Sequence, residues 1–172
     1  EWANGDRVEL TLPMSLSMRT WQVNKNSVSV DYGPLTLSLK IAEKYVEKDS
    51  RETAIGDSKW QKGADSKKWP TTEIYPDSPW NYSLVLDKRE PLKNFKVIRK
   101  SWPADNYPFT ATSVPLEVKA IGRPVPEWKI DETGLCGVLP EEDAMKGDKE
   151  EITLIPMGAA RLRISAFPNT KE

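Results

Sequence analysis

The chain has 172 residues, with 25 basic and 26 acidic side chains that leave a formal net charge of -1. That length buries a full core in one domain, and evenly mixed charge without a basic stripe or acidic tail makes nucleic acid a poor partner. There is no histidine and a single cysteine, Cys136, which excludes a Ser-His-Asp or Cys-His unit, a histidine-bearing zinc site and an intrachain disulfide. Fourteen prolines spread through the sequence punctuate many short elements and argue against long helices, since an interior proline costs a helix ~3 kcal/mol. No run of about 18 apolar residues occurs, so no membrane-spanning helix is expected.

The first element is a strand over Arg7–Leu12, entered through the turn Asn4-Gly5-Asp6. Its alternation places Val8, Leu10 and Leu12 on a buried face and Arg7, Glu9 and Thr11 toward water. Leu16, Met18, Trp21 and Val23 are less regular and predict a bent or edge strand. Ser27–Tyr32 and Leu35–Ile41 read as two strands separated at Gly33-Pro34, where proline removes a ladder donor. Glu43–Lys48 predicts one or two helical turns. From Asp49 to Lys68 the composition turns to Lys, Asp, Ser and Gly, a long exposed excursion that carries Trp60 and is followed by Trp69.

Ordered structure is expected to resume at Glu73–Leu86, with later strands over Phe95–Lys100, Leu116–Ile121, Glu151–Ile155 and Arg161–Phe167. Ile152 and Leu154, then Leu162 and Ile164 beyond Pro156-Met157-Gly158, predict a β-hairpin over 152–167. About eight short strands at this spacing define an all-β chain, a jelly-roll-like antiparallel β-sandwich with a long polar loop excursion and at most one or two short helices. Residues 1–172 are read as one domain. A chain that opens at Glu1, without methionine and directly on a strand-patterned segment, reads as a fragment or processed piece of a larger product.

Trp2-Ala3-Asn4-Gly5-Asp6-Arg7-Val8-Glu9-Leu10, then Leu12-Pro13-Met14, then Tyr32-Gly33-Pro34-Leu35, resembles the non-catalytic C-terminal β-sandwich region of glycoside hydrolase family 127-like proteins, which include β-L-arabinofuranosidases. Tyr75–Tyr82 and the closing stretch Glu151–Pro168 also fit that pattern, so the resemblance spans nearly the whole chain. It implies an accessory domain packed beside an N-terminal catalytic (α/α)6 barrel of the parent chain, in a periplasmic or secreted enzyme acting on plant-type oligosaccharide. In that family a zinc-bound cysteine nucleophile and a glutamate acid/base lie in the barrel. None of those residues is matched here, so no catalytic residue, metal site or cofactor is assigned to this chain. A homo-oligomer is a further expectation. The alternatives are a free-standing carbohydrate-binding module and a structural or oligomerisation domain without a ligand.

The residues that fit sugar contact are aromatic, because indole and phenol rings stack on the C–H faces of sugars while nearby amides and carboxylates bond the hydroxyls. Trp80, Asn81 and Tyr82 combine both types, with Trp80 and Tyr82 on one face of a strand. Trp60, Trp69 and Trp102 complete the candidate set. For each ring the competing reading is a core or domain-interface anchor. Trp128 and Cys136 are expected in or near the core. The acidic residues Glu73, Asp77, Asp87, Asp131 and Glu132 form no pair whose surroundings explain a raised pKa, and solvated surface is their plainer reading. Asn81-Tyr82-Ser83 matches an N-glycosylation pattern without an expected glycan.

Overall fold

A computed structural model describes residues 2–53, 65–141 and 147–172. Within them the chain is all-β. Its strands are β1 (Leu16–Trp21), β2 (Ser27–Tyr32), β3 (Leu35–Leu39), β4 (Glu43–Lys48), β5 (Thr71–Pro76), β6 (Tyr82–Leu86), β7 (Lys96–Arg99), β8 (Leu116–Pro124), β9 (Glu150–Pro156) and β10 (Asn169–Lys171). Among the described residues helix is confined to a single turn at Ser50–Thr53 and 3-10 turns at Ser66–Lys68 and Met157–Ala159. Eight strands form one sheet in the order β1-β2-β3-β9-β8-β6-β10, with β7 also pairing β8, while β4 and β5 form a separate ribbon.

The β2–β3 hairpin shows how local sequence sets this geometry. Tyr32 faces Leu35 across the two-residue turn Gly33-Pro34. Gly33 adopts a φ of 56°, and a Cβ there would lie 2.3 Å from the Met14 sulfur, so both backbone and space require glycine. Proline then supplies the fixed negative φ that a turn of this kind needs in second place.

The sheet curls until its ends meet. Val28 on β2 and Phe167 exchange backbone hydrogen bonds of 2.8 and 2.9 Å, and β10 continues from there to pair in parallel with β6. Inside the curl lie Val28, Val30, Leu37, Leu39, Leu84, Leu86, Val118, Leu154 and Phe167, each at most 2% exposed. Burying such side chains contributes about 1.5–3 kcal/mol each. A smaller apolar cluster, Val114, Ile155, Ala159 and Ala160, sits apart from this core.

Four expectations are corrected. Residues 7–12 form no strand: the chain leaves the Ala3–Asp6 turn and runs outward, with Val8, Leu10 and Leu12 at 67, 77 and 71% exposure because no sheet edge accompanies them. Glu43–Lys48 is not helical but pairs over its whole length with Thr71–Pro76. One or two isolated turns of helix are weak in water, and a six-rung ladder outcompetes them. The hairpin over 152–167 is absent, because β9 already has β3 on one edge and β8 on the other. Residues 161–167 cross over instead, where Ile164 accepts a hydrogen bond from Leu39 and Phe167 bridges Val28. Cys136 is exposed, in a surface loop tied by a bridge between Ile130 and residue 136.

Candidate functional site

The aromatic residues at 80–82 are built into the fold. Trp80 meets the buried Trp128 edge to face, with ring centroids 5.2 Å apart, and the Trp128 indole N–H donates to the Gly137 carbonyl at 2.9 Å. The Asn81 side-chain amide donates to the carbonyls of Val125 (2.9 Å) and Trp128 (3.2 Å). That nitrogen is thus spent on two backbone carbonyls within the fold. Tyr82 is 7% exposed, and burial, then its hydrogen bond to Glu150, pushes its hydroxyl up to about 12. Trp128 therefore meets its expectation as a core residue, and these four residues form one anchoring cluster.

Trp102 has a different setting. It stands in the connection between β7 and β8, and its ring is 61% exposed on a groove of about 390 Å³. One wall is the start of β3, with Pro34, Leu35 and Thr36; the other is Pro156 and Met157. Phe109 at 57% exposure adds a second ring, and Val114 and Ala159 of the small apolar cluster complete the lining. A contiguous exposed apolar surface, unlike a lone exposed ring, is the kind that marks interaction sites.

The connection holds its own shape. Asn106 sits at a φ of 55° and accepts the Trp102 indole N–H on Oδ1 at 2.6 Å, while its backbone N–H closes a turn onto Pro103. Asp105 accepts the Tyr107 N–H at 3.0 Å, and the Tyr107 and Phe109 rings pack edge to face at 5.6 Å. Ser113 donates to the Tyr107 carbonyl at 2.7 Å. The ring of Trp102 is thus fixed with its face free, beside an amide whose Nδ2 donors point away from the indole contact.

Among the described residues no titratable side chain lines the groove. Thr36 in the wall is tied to a charged pair: it donates to Asp31 at 2.7 Å and accepts from Arg19 at 3.0 Å. The bidentate Arg19 guanidinium, first of all, holds the Asp31 carboxyl below its ordinary value despite burial. Such a lining can bind and orient a ligand. On the other side of the same connection, Thr110 and Ala111 border a more polar cleft of about 620 Å³ with Tyr45, Glu43, Ser78 and Arg161.

Three of the carboxylates weighed as acids, Glu73, Asp87 and Asp131, have structural tasks. Asp131 caps its own turn through Thr133 and Leu135, Asp87 caps that of Arg89 and Glu90, and Glu73 accepts the Tyr75 hydroxyl. Among the described residues no group of three or more His, Cys, Asp or Glu could hold a metal ion. Trp69 is 71% exposed just before β5, with its carbonyl held by the Ser50 hydroxyl, and it belongs neither to the Trp80 cluster nor to the Trp102 groove. Trp60 lies outside the described residues. Sequence reasoning passed over Phe109, Leu35 and Met157; the dense run Tyr107-Pro108-Phe109 so soon after Trp102-Pro103 was the signal for the first.

Comparison with protein-family models, with curated proteins and with solved structures finds no match to this chain.

Proposed function

We propose that this chain is an accessory β-sandwich of a carbohydrate-active enzyme of the family 127-like kind, non-catalytic in itself, which packs beside the catalytic barrel and meets glycan at the Trp102 groove. The observation that carries the reading is the pre-set Trp102 ring, exposed on a concave apolar surface with the Asn106 amide at its edge. A fixed aromatic face with a neighbouring amide suits the two sides of a sugar, its C–H face and its hydroxyls. The resemblance of Trp2–Met14 and Tyr32–Leu35 to the family's sandwich supplies the enzyme context. The aliphatic walls of Pro34, Leu35, Pro156 and Met157 suit packing against a protein body on the same side.

The test is a titration of the isotope-labelled chain with a panel of plant-type oligosaccharides, following the indole N–H signals. Movement of the Trp102 signal with saturation, abolished in Trp102→Ala, supports the reading. Unmoved indoles at every sugar, or movement that persists in Trp102→Ala, overturns the glycan contact. Turnover of aryl glycosides by the purified chain would overturn its non-catalytic assignment.

A further inference from the structure

The corrected N-terminal segment has a second partner written into it. β1 pairs β2 on one edge, and among the described residues its other edge carries no strand. The β1–β2 ladder extends one step beyond Leu16, since the Gly33 N–H donates to the Ser15 carbonyl at 2.9 Å. Alternation along an antiparallel ladder then turns the backbone groups of Ser15, Ser17, Arg19 and Trp21 toward β2, and those of Met14, Leu16, Met18 and Thr20 toward the open edge. Met14, Leu16 and Met18 also share the face that packs on the main core. Ahead of this edge runs Arg7–Pro13, without regular secondary structure, apolar on alternate residues and uncovered.

We propose that residues 7–21 of two copies of this chain pair as an antiparallel ribbon centred on Met14, each N-terminal arm completing the β1 edge of the other copy. In this register Leu12 faces Leu16, Leu10 faces Met18 and Val8 faces Thr20, all on the core side. Thr11 faces Ser17, Glu9 faces Arg19 and Arg7 faces Trp21 on the outer side. Three features favour this register. Opposite charges meet at Glu9 and Arg19, whereas a two-residue slip one way sets Arg7 against Arg19 and a slip the other way moves Glu9 to Trp21. A one-residue slip turns the leucines to the wrong face. Pro13 falls opposite Ser15, a position that needs no backbone donor, which is where a ladder tolerates proline.

The occupant is a second copy rather than the same chain folded back. A hairpin would have to reverse direction within Pro13-Met14-Ser15. The Ser15–Gly33 bond and the Met14 side chain packed against Gly33 hold that stretch in line with β1. An arm held straight reaches outward, and exchange of identical arms gives a closed two-fold pair in which both edges are covered at once.

Sedimentation of the full chain over a concentration series tests this, together with oxidation of Met14→Cys in a Cys136→Ser background. Residues paired across the two-fold in hydrogen-bonded positions sit about 5.5 Å apart at Cα, within disulfide reach. The expected results are a dimer, a Met14→Cys cross-link between chains, a monomer for Leu10→Asp, and a dissociation constant raised at least about fivefold for Glu9→Arg. A monomer at every concentration overturns the proposal. So does a dimer that survives removal of residues 2–12 or fails to cross-link through position 14. Glycan binding at Trp102 is independent of each of these readouts.

Discussion

Residues 7–12 and β2 carry the same alternation and meet opposite fates. In β2 the three apolar residues Val28, Val30 and Tyr32 lie in the core, and the polar residues between them, Ser27, Ser29 and Asp31, are buried too. β2 has β1 along one side, β3 and the Phe167 crossing along the other, and bonded partners for its polar face: Ser29 donates to the Ser165 carbonyl and Asp31 is clasped by Arg19 and Thr36. Among the described residues the N-terminal arm has none of these neighbours. Alternation therefore states that a segment can line a sheet. Which body supplies the sheet is decided by the free edges elsewhere.

The comparison breaks most visibly where β2 is covered. Phe167 is fully buried and closes the curl on Val28, so Phe167→Ala is expected to lose about 3–5 kcal/mol, read as a lowered midpoint in urea unfolding. An intermediate effect comes from the polar face of β2. The Asp31 carboxyl is held below its ordinary 3.8, chiefly by Arg19, so its stabilisation is complete above that value and is lost as pH falls through the lower folded value. Asp31→Asn should accordingly show a shallower loss of stability on acidification than the parent chain; an unchanged acid limb would place that dependence elsewhere. The smallest effect belongs to the arm. At dilution that keeps copies apart, Leu10→Ser should change the unfolding free energy by no more than about 0.5 kcal/mol, because an uncovered side chain has little to lose.

Much of the fold was legible. Ser27–Tyr32 and the cores of β3, β6, β8 and β9 stand out because strands buried on one or both faces concentrate Val, Ile and Leu between turn residues. Glu43–Lys48 was opaque for a physical reason. A charged hexapeptide has no preference strong enough to choose a shape, and the choice is made by Thr71–Pro76 from beyond the polar excursion. Residues 161–167 do alternate, yet alternation names no partner, and both edges of β9 were already occupied. At the candidate site, the two readings weighed for Trp80 and Tyr82 separate only through burial, and the Asn81 contacts to Val125 and Trp128 depend on a loop distant in sequence. The exposure of Trp102 and the nearness of Phe109 to Met157 are likewise products of folding.

The meeting of Val28 with Phe167 also sets the order of events during synthesis. The second strand is made well before the residues that seal it. Until both are made its flank stays open, so this contact of long sequence separation forms late in folding.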